Sequence, residues 1–165
     1  MSFLFNADEI YKMAEQIERN GAKYYRRAAE FAKDTETKEA FLSLASMEDD
    51  HENTFVAMRA KLTDEERKEI TYDPEDLGGK YLKALADGRV FDMSKDPASQ
   101  LTGEESISDV LHTALGMEKD SIAFYTTMKM YVSDAMGRDK IENIITEEIS
   151  HITVINLLLN TWEEE

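Results

Sequence analysis

Two segments of this 165-residue chain place a glutamate and a histidine where a helix needs apolar side chains. Phe41, Leu44, Glu48, His51, Phe55, Met58 and Leu62 follow one another at steps of three and four, the stripe an amphipathic helix turns toward its neighbours. A hundred residues later, Ile141, Ile144, Glu148, His151, Ile155, Leu158 and Trp162 repeat the pattern. An ionised carboxylate buried without a partner costs several kcal/mol even after relaxation, and a buried imidazole still needs its hydrogen bonds met. A chain that folds with these stripes inward must therefore compensate two acids and two imidazoles.

The duplication extends upstream. "IERNGAKYY" at 17–25 matches "MEKDSIAFY" at 117–125, which pairs Glu18 with Glu118 and Tyr25 with Tyr125. Here the stripes are Ala14, Glu18, Gly21, Tyr25, Ala28 and Leu111, Ala114, Glu118, Ser121, Tyr125, Met128, so each of four helical patterns carries one glutamate near its middle. The patterns predict helices over about 7–33, 36–62, 105–133 and 136–162, the first opened by Asn6 with Glu9 three residues on, a capping-box spacing. Each is about 25 residues, hence about 38 Å long. Little of the chain alternates apolar and polar residues as a strand would.

Short connections within each pair of helices make two antiparallel hairpins, and about 40 residues between them, 63–102, hold both prolines and three of the seven glycines. "DEERKEI" and "PEDLGGKYLKALADG" are short helix candidates there. The fold class predicted is all-α: one domain over 1–165, a four-helix bundle whose hairpins are joined by a long crossover.

Such a bundle brings Glu18, Glu48, Glu118, Glu148, His51 and His151 together at mid-height. Two divalent cations would bring +4 against four carboxylates. Glu-x-x-His sets both side chains on one helix face about a turn apart, so the second and fourth helices can each chelate one metal, with Glu18 and Glu118 completing or bridging the pair. Hard oxygen donors with one imidazole per metal suit iron or manganese, and zinc would bind adventitiously. His112 lies off the stripe with Lys12 as its repeat mate, and is expected either at the surface or behind a ligand residue. Asp49, Asp50 and Glu147 are rotated about 100° or more from the stripes and are expected to be solvated, Glu147 alone keeping the alternative of reaching the site. Tyr25 and Tyr125, two turns from the glutamates, either pack in the core or hydrogen-bond a ligand residue. The methionines read as packing residues.

Charge and composition narrow the partners. Thirty-five acidic against nineteen basic side chains give −16, which disfavours nucleic acid and anionic membrane surfaces. The longest uncharged stretch, 149–162, contains a histidine and two asparagines and is too short to span a bilayer. The first residues lack a basic region followed by an apolar core, so the expected location is cytoplasmic. There is no cysteine, hence no disulfide and no cysteine-ligated metal.

On "IERNGAKYY", "MEDDH", "MEKDSIAFY" and "EEISH" the sequence resembles the ferritin-like di-iron carboxylate superfamily, and within it the rubrerythrin group. The resemblance implies a pair of iron ions held by Glu18, Glu48, His51, Glu118, Glu148 and His151, the same residues forming the catalytic set, and reaction with hydrogen peroxide or dioxygen. Rubrerythrins proper carry a four-cysteine rubredoxin-like iron site. Its absence here implies an external electron-donor protein. They also carry a further carboxylate three residues from the third-helix ligand, where this chain has Leu115 and Ser121. A ferroxidase, a di-iron oxygenase and a metal-stabilised structural or stress-related bundle are the alternatives, and a homodimer is the oligomer expected.

Overall fold

The computed structural model describes residues 5–68, 75, 77–86 and 95–163. Five α-helices are described: α1 (Ala7–Phe31), α2 (Thr35–Ala60), α3 (Leu77–Ala86), α4 (Ile107–Met128) and α5 (Arg138–Glu163). The four long ones form the expected bundle. α1 packs along α2 and α4 along α5 as tight hairpins, while the α1–α4 and α2–α5 seams touch at fewer places and close the ring.

Local chemistry sets the ends. Asn6 accepts from the Glu9 amide at 2.9 Å and Glu9 accepts from the Asn6 amide at 3.1 Å, the reciprocal box that satisfies two amides with no helical partner. Asp34 caps α2 by accepting from the Thr37 amide at 2.8 Å, and Ser106 caps α4 by accepting from the Asp109 amide at 3.0 Å. The third helix stops earlier than periodicity predicts, at Met128 rather than near 133. The chain turns through residues 129–137, including a 3-10 turn at Asp134–Met136, and Gly137 closes that turn at φ +104. Apolar periodicity continues through Tyr131 and Val132, which are buried although no longer helical, so the stripe outlasts the helix.

The crossover is described in pieces: turns over 64–68, α3, and a 3-10 turn at Pro97–Gln100. "GGKYLKALA" forms α3 as expected. The end of "DEERKEI" lies outside the described residues. α3 contributes Leu82 and Leu85 to the core, and the 97–100 turn packs on α1.

Buried apolar side chains fall into two clusters. One gathers Ile10, Tyr11, Ala14, Phe55, Met58, Phe124, Tyr125, Ile141 and Ile144, and the other Tyr24, Tyr25, Ala28, Phe41, Leu44, Leu111, Ala114, Ile155 and Leu159. Along every long helix the residues between the two clusters are the polar stripe positions: Glu48 and His51 lie between Leu44 and Phe55, and Glu148 and His151 between Ile144 and Ile155. The bundle is thus two apolar blocks with a polar layer between them. Each block, at about 25 cal/mol per Å² of apolar surface removed from water, offsets part of what burying the layer costs.

Candidate metal centre

The six predicted residues are all in the layer and almost wholly shielded from water, from 0% exposed for Glu18 and Glu148 to 4% for Glu48. Helix periodicity delivers them: one residue from α1, two from α2, one from α4 and two from α5.

Both histidines direct Nδ1 into the layer. His51 Nδ1 lies 3.2 Å from Glu148 Oε1, 3.4 Å from Glu18 Oε2 and 4.0 Å from Glu48 Oε2. His151 Nδ1 lies 3.0 Å from Glu148 Oε2, 3.1 Å from Glu48 Oε1 and 3.5 Å from Glu118 Oε2. The rings are nearly parallel, with centroids 5.5 Å apart. Two groups of candidate ligands result, Glu18–Glu48–His51–Glu148 and Glu48–Glu118–Glu148–His151, each with its donor atoms within 4.8 Å of one another. Glu48 and Glu148 belong to both. The sequence left Glu18 and Glu118 either completing or bridging the pair; in the structure the carboxylates common to both groups come from the Glu-x-x-His helices, and Glu18 and Glu118 each belong to one group and are terminal in that sense.

These contacts are close without being hydrogen bonds. Glu18 Oε2, Glu48 Oε1, His51 Nδ1, both Glu148 oxygens and His151 Nδ1 are buried with no hydrogen-bond partner. Orphaned polar atoms are rare in folded interiors, and here they converge on one place. Lone pairs aimed at a common centre, rather than at one another, are what a divalent cation requires. The donor set of carboxylates with one imidazole per group is chemically suited to iron or manganese. These residues fit such a pair of ions.

Without ions the layer must balance its charge with protons. Burial, then the neighbouring Glu18, pushes Glu48 well above the usual carboxylate range, and burial likewise lifts Glu118 to about 8, against the opposing pull of His151. Burial and Glu18 press Glu148 upward too, yet the imidazoles of His151 and His51 close beside it hold it below its ordinary value. Burial alone would lower both imidazoles. The carboxylates win: Glu148 and Glu18 hold His51 up at about 11, and Glu118 and Glu148 hold His151 at about 9. The metal-free layer is therefore a set of imidazolium–carboxylate contacts whose protons a cation must displace.

Around the layer the structure resolves the two readings of the tyrosines: both are in the core and both are hydrogen-bonded. The Tyr25 hydroxyl donates to Glu118 and the Tyr125 hydroxyl to Glu18, so each repeat holds the terminal carboxylate of the other. Burial first, and then those carboxylates, keep both phenols well above their usual pKa, so they stay protonated donors. Tyr25 stacks on Phe41 and Tyr125 leans on Phe55, which fixes both rings.

Glu147 takes the alternative the sequence left to it and reaches the site. Its side chain is 52% exposed, but its Oε2 reaches His51 Nε2 at 2.6 Å. The helical angle correctly turns it off the stripe; a long side chain at the edge of the layer swings back. Its repeat mate is Met47, and His151 Nε2 is buried without a hydrogen-bond partner. His112 and Asp50 lie on exposed faces as predicted, and Asp49 pairs with Arg26 across the α1–α2 surface. Gly21 is the position sequence reasoning passed over. A Cβ there would stand 3.3 Å from the Glu48 carboxyl carbon and oxygen, so α1 approaches this shared carboxylate through a residue without a side chain.

No described helix is long and apolar enough to cross a membrane. No protein-family model matches the chain, and no curated protein is significantly similar to it in sequence. Among solved structures it is similar to a Thermotoga maritima protein described as a ferritin-like diiron-carboxylate protein, with TM-score 0.78 and 22% identity over 97% of this chain and 98% of that one. At that identity the match speaks for the fold, which is ferritin-like.

Proposed function

We propose that the chain is a rubrerythrin-like di-iron oxidoreductase that reduces hydrogen peroxide or dioxygen with electrons from an external donor protein. The observation that carries this is the convergence of buried, unpartnered carboxylate and imidazole atoms in two groups that share Glu48 and Glu148. Glu18, Glu48, His51 and Glu148 would hold one ion, and Glu48, Glu118, Glu148 and His151 the other. A ferrous pair there supplies two electrons, enough with two protons to reduce one hydrogen peroxide to two waters.

The chain's own residues set the conditions for that chemistry. Tyr25 and Tyr125 fix Glu118 and Glu18 by donating to them, so the terminal carboxylates meet incoming metal already oriented. The two apolar blocks exclude bulk water and hold the six donors on four rigid helices. With no cysteine, the chain has no thiolate-held iron of its own to relay electrons, which is why the donor is assigned to a separate protein.

Anaerobic reconstitution with ferrous iron tests this. Metal analysis should give two irons per chain. Stopped-flow absorption after one equivalent of peroxide should show complete oxidation of the pair in one event, with a second cycle only after a reductant is added. One iron per chain, or a ferrous pair inert to both peroxide and dioxygen, would overturn the proposal, and inertness would favour a structural metal.

A further inference from the structure

The polar layer has an open flank. Between α1 and α4 lies a cavity of about 340 Å³, within the size range of small-molecule pockets, that reaches Glu48 and Glu118 and touches neither histidine. The duplication builds it. Ile17 and Met117 are repeat mates that supply apolar walls, and Asn20 and Asp120, also mates, stand beside Lys95 and Gln100 of the crossover.

Two small side chains account for its depth. One turn beyond Glu18 and Glu118 the helices carry Gly21 and Ser121, and both line the cavity. The Ser121 hydroxyl donates to the Met117 carbonyl at 3.1 Å, so it is occupied by its own helix. The opposite apolar block is filled instead: Leu82 and Leu85 of α3 lie 0% and 1% exposed among Ile10, Ala14 and Phe124. Among its described residues, the crossover thus plugs one block with leucines and lines the cavity with Lys95, Pro97 and Gln100. Interiors are close-packed, so a space this size beside Glu48 and Glu118 is room for an occupant.

We infer that this cavity binds a small neutral organic molecule with an apolar body and one hydrogen-bonding end. The apolar body fits Ile17, Met117, Pro97 and the Tyr25 ring. The amides of Asn20 and Gln100 suit the polar end. Lys95 and Asp120 offset each other in charge, so the polar rim offers no net charge to an ionic ligand. Binding as such needs no metal, whereas a role as the substrate pocket of the centre rests on the di-iron reading above.

The test uses 4-ethylphenol as probe and benzoate as its anionic counterpart. Both are titrated calorimetrically into zinc-loaded protein, which is redox-silent, and into metal-free protein, with backbone amide shifts followed by NMR. The expected result is saturable one-to-one binding of 4-ethylphenol, shifts concentrated at Gly21 and Ser121, and benzoate at least tenfold weaker. Ser121→Phe should fill the cavity and weaken 4-ethylphenol at least tenfold while keeping wild-type zinc stoichiometry; if it does not fold, Met117→Trp fills the same space from the wall. No saturable binding, shifts located elsewhere, benzoate binding as well as the phenol, or full affinity in the cavity-filling variant would overturn the inference. Phenol binding in a protein that takes up no metal would sustain the pocket and overturn the di-iron reading; two metals per chain with no phenol binding would do the reverse.

Discussion

The half of the centre around His51 and the half around His151 descend from one motif, Glu-x-x-His on an apolar stripe, yet they are held differently. His51 has a carboxylate on each side: Glu148 and Glu18 near Nδ1, and Glu147 at 2.6 Å from Nε2. His151 has its carboxylates only at Nδ1, and Nε2 is an orphan. The cause is one substitution within the repeat, Met47 standing where its mate is Glu147. A histidine whose outer nitrogen is held by a carboxylate is fixed in ring orientation and is a more basic ligand. Duplication therefore produced two similar groups of donors, and a single side chain outside both makes their surroundings unequal.

The comparison breaks first at the shared carboxylates. Glu148→Gln should take metal content from two ions per chain toward none, because both groups lose a ligand, whereas Glu118→Gln should leave about one. Metal analysis after reconstitution and desalting separates them. Equal losses in the two variants would mean that Glu148 is not shared.

Removing the ions from the whole protein should have the next largest effect. Ligands that bind only the folded state stabilise it by RT ln(1 + [L]/Kd), about 4 kcal/mol at a thousandfold excess over Kd. The metal-free protein should accordingly melt lower at neutral pH, and its own stability should fall as pH rises. Glu118, raised to about 8, binds a proton more tightly folded than unfolded, so its stabilising contribution is complete below about 4.5 and is lost as pH climbs through 8. His151 does the same between its ordinary 6.5 and about 9, and His51 between 6.5 and about 11. Glu148, held below its ordinary value, acts oppositely, but only below about 4.5. Thermal melts of the metal-free protein from pH 5 to 9 should decline steadily, and metal uptake at pH 7 should release protons measurable by calorimetry in buffers of different ionisation enthalpy. A flat melting profile would contradict the proton-balanced layer.

A smaller effect bears on the asymmetry itself. Glu147→Ala frees His51 Nε2 and should weaken one of the two ions by about 10- to 100-fold, the usual cost of losing a carboxylate behind a ligating histidine, and spare the other. A two-site titration with a competing chelator reads this directly. The mildest change goes the other way: Met47→Glu would give His151 the partner its mate has, and should tighten the weaker ion severalfold and bring the two affinities together. If Met47→Glu left them as far apart as before, the inequality would have to come from elsewhere than Nε2.

Periodicity and duplication were enough to identify the bundle, its two hairpins and the six residues of the layer, because a 3.6-residue repeat fixes which side chains share a face and two stripes in register leave few ways to stack. The Asn6–Glu9 cap was legible for the same reason, being a contact between neighbours in sequence. Where the third helix stops was not legible, since Tyr131 and Val132 continue the apolar pattern in a segment that has already turned. Nor was the sharing of Glu48 and Glu148, which depends on how two helices face each other across the core. Glu147 was turned away by its helical angle and brought back by the reach of its side chain, and the cavity beside Gly21 and Ser121 depends on how α1 and α4 stand to each other, which neither helix's own pattern states. The chain's own order determined which residues are buried together, for that follows from local geometry. Tertiary structure alone decided which oxygen faces which nitrogen and where space is left open, because those are set by the distances between helices that no residue spacing encodes.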